Sequence, residues 1–551
     1  MKKLLSILLV LFVLLNVSAC AKKQEDDIYI VFTNDVHCAI DTNIGYAGVA
    51  AYKEELLKEH QYVTLVDVGD FASGSIAGSL STGYYPTILM NAAGYDVATL
   101  GNHEFDYGMD YLNEYILQNS EFDIVCSNIG YTGKNENKLK DIKPYVIKEY
   151  GNTKVAFVGV DTPTTIAESS PSVFMEDGEF VYDFTFGDTK DNFYSDLQKV
   201  INEADKKSDY VVLLAHFGTS ENSAPFRSSD LAQNTYGVDV ILDGHSHIEI
   251  LGDVFTNTKG KDVQVWQTGT ELTNIGTIVL KVDHTIEGML VSEYDKKDEE
   301  VNIVIDGLNK EFDETLGQII SHTDFDLIIG DTINDVYYRE VRNRETNLGD
   351  LCADVFRNMY GSDIGIVNGG GIRDTIKAGD IAMRDCVLVF PFINKTALLK
   401  ANGQTILDML EYSAYSVESY QNNGETPVGE FGGFLQVSGI KFDVDTSINS
   451  PCIVEEDMFK GFNDGQRRVK NVYVLKDDKY EPIDPDALYT IAGSQYILTE
   501  LGNGYTMFKD SEVVSKEGTV DTNLLVEYIA NSLNGIIPEE YKVPQGRINI
   551  Y

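Results

Sequence analysis

Five short polar clusters in the first 247 residues carry the side chains that can do chemistry. They are Asp35-Val36-His37, Gly69-Asp70, Gly101-Asn102-His103-Glu104-Phe105-Asp106, Ala215-His216 and Gly244-His245-Ser246-His247. Asp35, His37, Asp70, Asn102, His216, His245 and His247 supply oxygen and nitrogen donors without sulfur, which suits Zn²⁺, Mn²⁺, Fe or Co²⁺. They are enough for two divalent metal ions, and Asp70 can bridge the pair with its two oxygens. A cation pair of this kind serves hydrolysis of a phosphate ester, because it clamps the phosphoryl oxygens and lowers the pKa of water. His103 and Asp106 stand apart from the ligands. A carboxylate on one imidazole nitrogen fixes the tautomer and raises the basicity of the other. His103 can then stabilise phosphoryl charge or protonate a leaving group.

Something must bring these clusters together. Each follows a short apolar run rich in β-branched residues, at 28–32, 63–68, 97–100, 211–215 and 238–242, with a further run at 155–160. These read as buried strands, while 50–60 and 195–207 read as helices. The alternation predicts an α/β domain, whose ligands bind beyond the carboxyl ends of the strands. The i, i+2 spacing of Asp35 with His37, and of His245 with His247, predicts extended strand ends that project both ligands from one face. Cys38 then points to the opposite face. Val301, Val304, Ile305, Leu308 and Phe312 recur at helical spacing and predict a connecting helix over 299–316. A second α/β region starts near residue 325. Its Asn368-Gly369-Gly370-Gly371-Ile372-Arg373 run lets a ligand approach the backbone and ends in a guanidinium suited to phosphate or carboxylate.

The ordered pattern D-x-H, G-D, G-N-H-[DE], H, G-H-x-H resembles that of the calcineurin-like metallophosphoesterases. The resemblance implies one metal on Asp35, His37, Asp70 and His247, and a second on Asp70, Asn102, His216 and His245. Residues 28–551 as a whole resemble the 5′-nucleotidase family, which includes periplasmic UDP-sugar hydrolases. The shared landmarks are Arg344-Glu345-Thr346-Asn347-Leu348-Gly349, the 368–373 run, Pro391-Phe392, and Tyr496 ahead of Gly502-Asn503-Gly504-Tyr505. The family likeness implies that Phe392 and Tyr496 sandwich a base, with Arg342, Asn368 and Arg373 on the rest of the nucleotide. Two positions depart from the family pattern. Asn503 stands where an aspartate usually meets the ribose hydroxyls, so it accepts without a charge. Ile393-Asn394 follows Phe392 where a glycine is usual.

The implied fold is a four-layer α/β sandwich flanked by helices over 28–298, the 299–316 helix, and an α/β nucleotide-binding domain over 317–551. The implied active site is the cleft between the two domains, with domain rotation about the helix as its natural motion. The implied activity is a 5′-nucleotidase acting on a nucleotide substrate. Within the same class stand a 2′,3′-cyclic-nucleotide 2′-phosphodiesterase/3′-nucleotidase and a UDP-sugar hydrolase. From a different class stands a non-catalytic surface-binding lipoprotein.

Composition bounds the partners. A chain of 551 residues exceeds one core. The net charge of −44 argues against a nucleic-acid polymer as partner. Lys2 and Lys3, an apolar 4–15 stretch and Val17-Ser18-Ala19-Cys20 resemble a bacterial lipoprotein signal over residues 1–19. The expected mature chain is lipidated at Cys20, tethered by 20–27, and anchored to the outer face of the cell membrane. Cys38, Cys126, Cys352, Cys386 and Cys452 show no CxxC pair and permit one or two disulfides without naming them. Oligomeric state is left open.

Overall fold

The computed structural model describes residues 26–551 except 170, 178, 221–222, 334–335, 419–428, 456 and 516–517. Cys20 and the expected signal segment lie outside the described residues. The first domain is built on β1 (Ile28–Thr33), β2 (Tyr62–Asp67), β3 (Val97–Thr99), β4 (Asp123–Val125), β5 (Tyr145–Tyr150), β6 (Thr153–Asp161), β7 (Tyr210–His216), β8 (Val240–Asp243), β9 (Glu249–Thr256), β10 (Asp262–Thr268), β11 (Ile275–Leu280) and β12 (Ile286–Val291). They form two six-stranded sheets, ordered β12-β11-β1-β2-β3-β4 and β9-β10-β8-β7-β6-β5. The β1-to-β4 block is parallel, with Ile30 opposite Thr64, and so is the β10-β8-β7-β6 block, with Val212 opposite Phe157.

The sheets pack face to face. Phe32, Val66 and Val97 of one meet Phe157, Val212, Leu214 and Leu242 of the other in a single core. Helices cover the outer faces. Val31, Leu65 and Ala98 pack against α1 (Gly45–Glu59) and α2 (Tyr84–Ala93). The short α3 (Thr165–Glu168) follows β6, and α4 (Phe193–Asp205) and α5 (Ser228–Asn234) cover Val211, Leu213 and Ile241. Each fully buried Val, Leu or Phe contributes about 1.5–3 kcal/mol, so both faces of a central strand favour apolar residues. β7 is accordingly buried at every position. The result is four layers, helix-sheet-sheet-helix, in the fold class the sequence implies.

Residues 299–316 form α6 (Glu299–Leu316), whose first turn is capped by Asp298, the side chain accepting from Val301 N at 2.8 Å. Val301, Ile305 and Phe312 bury against the core of the first sheet's helical layer. In the second domain, α7 (Asn347–Tyr360) and α8 (Met383–Val389) share a core with one face of a five-stranded sheet. That sheet contains β13 (Ile364–Asn368), β14 (Thr396–Asn402), β15 (Leu435–Ser438), β16 (Leu488–Ser494) and β17 (Glu512–Ser515), ordered β15-β13-β16-β14-β17. Arg384 of α8 pairs with Asp313 of α6 at 2.6 Å, and Ser79 Oγ donates to Pro391 O. The second domain thereby seats directly on the first.

The five cysteines that follow Cys20 are all free, four of them buried. Among the described residues no helix is long and apolar enough to cross a membrane.

Candidate metal centre and substrate cleft

The sequence-predicted ligands converge at the carboxyl ends of β1, β2, β3, β7 and β8. Only His216 is itself a strand residue. It continues the Val212 and Leu214 face of β7, which looks into the sandwich. The extended strand ends expected for Asp35 with His37, and for His245 with His247, are not formed. β1 stops at Thr33 and β8 at Asp243. Beyond them Asp35, His37, Asp70, His245 and His247 take φ values of 50°, 47°, 61°, 74° and 57°. Left-handed backbone at a non-glycine residue costs about 1–3 kcal/mol. The loops hold it by pairing with each other: Asp35 N donates to Gly69 O at 3.0 Å and His37 N to Asp70 O at 2.8 Å. Convergence therefore comes from turning the backbone, not from strand alternation. Cys38 is buried in this turn, its Sγ donating to Phe71 O at 3.3 Å, outside the ligand clusters.

Asp35, His37, Asp70 and His247 form one cluster and Asp70, His216 and His245 another, each with donor atoms within 4.8 Å of one another. Asn102 Oδ1 joins the second, 3.0 Å from His245 Nδ1. His37 Nε2 and His247 Nε2 lie 2.9 Å apart, and His247 Nε2 lies 3.4 Å from Asp35 Oδ1. His216 Nε2 is buried, with no hydrogen-bond partner among the described residues, 3.1 Å from Asp70 Oδ2. Its other nitrogen donates to Val68 O at 2.8 Å, and His37 Nδ1 donates to Ser73 O at 3.0 Å, so both Nε2 lone pairs face the cluster. Burial, with Arg373 nearby, holds His37 well below the usual imidazole range. Burial would raise Asp70, but His216 and His103 outweigh it and keep that carboxylate ionised. The inward Nε2 lone pairs of His37 and His216, the latter unpartnered among the described residues, are what a cation relieves, so the donors fit a two-metal centre.

Two glycines pack directly against the donors. A Cβ on Gly101 would fall 2.4 Å from Asp70 Oδ1, and one on Gly244 would fall 2.9 Å from His216 Nδ1. Around them is a shell of side chains that sequence reasoning passed over. Glu104, 1% exposed, accepts from four backbone amides: Gly101 N at 2.7 Å, Asp70 N and Phe71 N at 2.8 Å, and Ala72 N at 3.0 Å. It ties the Asp70 loop to the Asn102 loop. Burial pushes its carboxyl up to about 7, with Asp70 adding to the shift and the Gly101 and Asp70 amides opposing. Asn34 Nδ2 donates to Asp35 Oδ2 at 2.6 Å. Gln267 grips the last loop, donating to Gly244 O at 2.6 Å and accepting from Ile248 N at 2.9 Å. Glu104 belongs to one of the five polar clusters and Asn34 adjoins another; Gln267 carries no sequence signal.

His103 Nδ1 lies 2.7 Å from Asp106 Oδ2, which also accepts from Ser73 Oγ at 2.8 Å. Burial would lower the His103 pKa, but Asp106 and then Asp70 outweigh it and raise it. The second domain supplies the opposite wall. Phe392 stacks on the His103 ring with centroids 5.3 Å apart and 12° between planes, and the Arg373 guanidinium lies 5.5 Å from the Phe392 centroid. Asn368 Nδ2 donates to Asn503 Oδ1 at 3.1 Å, and Tyr496 Oη accepts from Asn503 N at 3.1 Å. Arg342 is half-buried, with its Nε buried and without a hydrogen-bond partner among the described residues. Burial, then Arg339 and Arg373, holds that guanidinium well below its usual range. Arg339, not predicted as a site residue, reaches within 3.5 Å of His247 Nδ1 and pairs with Glu430 at 3.0 Å.

Residues 28–249 match the family model of the calcineurin-like phosphoesterases, and residues 321–510 match that of the 5′-nucleotidase C-terminal domain. The chain is 26% identical to the trifunctional nucleotide phosphoesterase YfkN of Bacillus subtilis over 93% of its own length, and spans about a third (34%) of that longer protein. It is 26% identical to the 5′-nucleotidase of Rattus norvegicus, over 95% of this chain and 91% of that one. The crystal structure of a 5′-nucleotidase precursor from Thermus thermophilus superposes with a TM-score of 0.75 at 25% identity, over 95% of this chain and 99% of that one.

Glu104→Gln keeps the size of the side chain but sets an amide NH₂ against backbone N–H donors. We expect metal affinity to fall about 10–100-fold, read as metal content after dialysis at fixed free Mn²⁺. Unchanged affinity would remove Glu104 from the support of the site.

Proposed function

This chain belongs to the calcineurin-like phosphoesterases that carry a 5′-nucleotidase C-terminal domain, and on that premise we propose that it hydrolyses nucleoside monophosphates to nucleoside and phosphate in the cleft between its domains. The observation that carries the proposal is the stack of Phe392 on His103, which sets an aromatic wall of the second domain against the phosphate-handling histidine of the first.

Asp35, His37, Asp70 and His247 would hold one divalent cation, and Asp70, Asn102, His216 and His245 the other. When bound, such a pair neutralises phosphoryl charge and lowers the pKa of water. The protein's own groups do the rest. Asp106 accepts from His103 Nδ1, so the imidazole turns Nε2 toward the cleft, and there it donates to a phosphoryl oxygen or to the leaving oxygen. Arg373 and Arg342 present guanidiniums to the phosphate side, where the Arg342 Nε, unpaired among the described residues, suits an acceptor. Phe392 and Tyr496 offer stacking faces for the base, and Asn368 with Asn503 offers amide groups for the ribose.

A second reading, a UDP-sugar hydrolase, draws on Arg339, which adds a third guanidinium to Arg342 and Arg373 and suits a substrate with a second phosphate. The coupling of Asn503 Oδ1 to Asn368 also leaves the ribose acceptor partly engaged. The location we propose is outside the cell membrane, anchored through Cys20.

His103→Ala should lower kcat about 10²–10⁴-fold while two metals stay bound, whereas Asp70→Ala should lose metal as well. Near-normal turnover in the His103 variant would end its catalytic role. Phosphate release from AMP, other nucleoside monophosphates, 2′,3′-cyclic AMP, UDP-glucose and a non-nucleotide ester, with Mn²⁺ or Zn²⁺ present, should rank a nucleoside monophosphate first. A preference for the non-nucleotide ester would overturn the base-stacking assignment. Cys20→Ser should move the protein from the membrane fraction to the medium, and retention at the membrane would argue against the anchor.

A further inference from the structure

Glu168 belongs to no motif and to neither ligand cluster. It is the last residue of α3, yet its Oε2 lies 2.9 Å from His245 Nε2, on the edge of the candidate metal centre. Thr164 Oγ1 donates to the same oxygen at 3.1 Å and steadies it. The opposite nitrogen of His245, Nδ1, lies 3.0 Å from Asn102 Oδ1. The ring is therefore held at both ends, with Nδ1 toward the ligands and Nε2 toward a carboxylate.

The other two deeply placed imidazoles give the comparison. His37 and His216 turn Nε2 toward the cluster and donate Nδ1–H outward, to Ser73 O and Val68 O. In each the outer nitrogen has a fixed acceptor, which sets the tautomer and the ring orientation. His245 is mounted the other way round. At its outer nitrogen Glu168 takes the place that a backbone carbonyl holds in the other two.

We propose that Glu168 is a positioning residue that holds His245 as its Nε2–H tautomer and aims Nδ1 at the second cation position. The proposal rests on the two-metal reading of the site. A four-residue helix has little stability of its own, so the placement of α3 must come from its neighbours. Thr165 Oγ1 donates to Asp161 Oδ2 at 2.8 Å on the side of the first domain. Ala167 O accepts from Tyr496 Oη at 3.2 Å on the side of the second. The residue next to Glu168 is thus held by a side chain that also bonds the Asn503 amide. The seating of the second domain and the aim of a first-domain ligand meet on one short helix.

The test uses the full chain, stripped of metal and titrated with Mn²⁺ alone, with bound ions counted at each free concentration. Wild type should take up two ions. Glu168→Ala should weaken one of the two binding steps about 10–100-fold and leave the other unchanged. Glu168→Gln, which can still accept from Nε2–H through its amide oxygen, should recover part of the loss. The metal-free variants should melt at the wild-type temperature, since a purely structural residue would lower that temperature and weaken both steps together. Equal weakening of both steps, or two steps in Glu168→Ala both equal to wild type, overturns the proposal while the two-metal site stands. A wild-type chain that takes up fewer than two ions overturns the two-metal reading, and this proposal with it.

Discussion

Seven donor side chains held around one buried point is the constraint on which the rest of this molecule depends. Two carboxylates and four imidazoles at such short range repel or compete for protons unless cations share them. The chain cannot relax that conflict by moving the side chains apart, because Gly101 and Gly244 allow the backbone to close in directly against them. Five of the seven donors also sit in left-handed backbone. The site is thus strained twice, in its charges and in its dihedrals, and strain of this kind persists only where the surroundings over-determine it.

Those surroundings are the hydrogen-bonded loops and the sandwich beneath them. Glu104 gathers four amides from two loops, Gln267 grips a third, and Asn34 fixes a ligand carboxylate. Each bond between a charged acceptor and a backbone N–H is worth more than a neutral one, and burial makes leaving any of those donors unpaired costly. The parallel strands bring the loops to the same edge. Their apolar faces supply the rigid base from which the turns depart, and this is why the first domain needs helices on both outer surfaces.

The second domain adds what the first lacks. It brings Arg339, Arg342 and Arg373 to a chain whose net charge is −44. Concentrating guanidiniums at one wall creates a local field opposite in sign to the whole, and screening over about 8 Å at physiological salt keeps the distant acidic surface from cancelling it. The Nε of Arg342 is buried and unpaired among the described residues, which carries a penalty. An anion on that wall removes the penalty, so part of the cost of holding the site open returns on binding.

The sequence by itself picked out the seven candidate donors, paired His103 with Asp106, and indicated the α/β class and the 299–316 helix. All of these are local: residue types at short spacing, apolar runs of strand length, a helical period over 299–316. Strand alternation failed as a guide to Asp35 with His37 because period-two geometry ends where the ladder ends, and β1 ends at Thr33. Past Thr33 the path of the backbone is decided by hydrogen bonds to a different loop, at Gly69 and Asp70. Glu168 and Gln267 were invisible for the same reason: their partners are set by packing, not by spacing. The seating of Phe392 on His103 joins residues nearly three hundred positions apart. Only the docking of two folded domains could place them, because contacts of that separation exist in no stretch of chain and arise when complementary surfaces exclude water together.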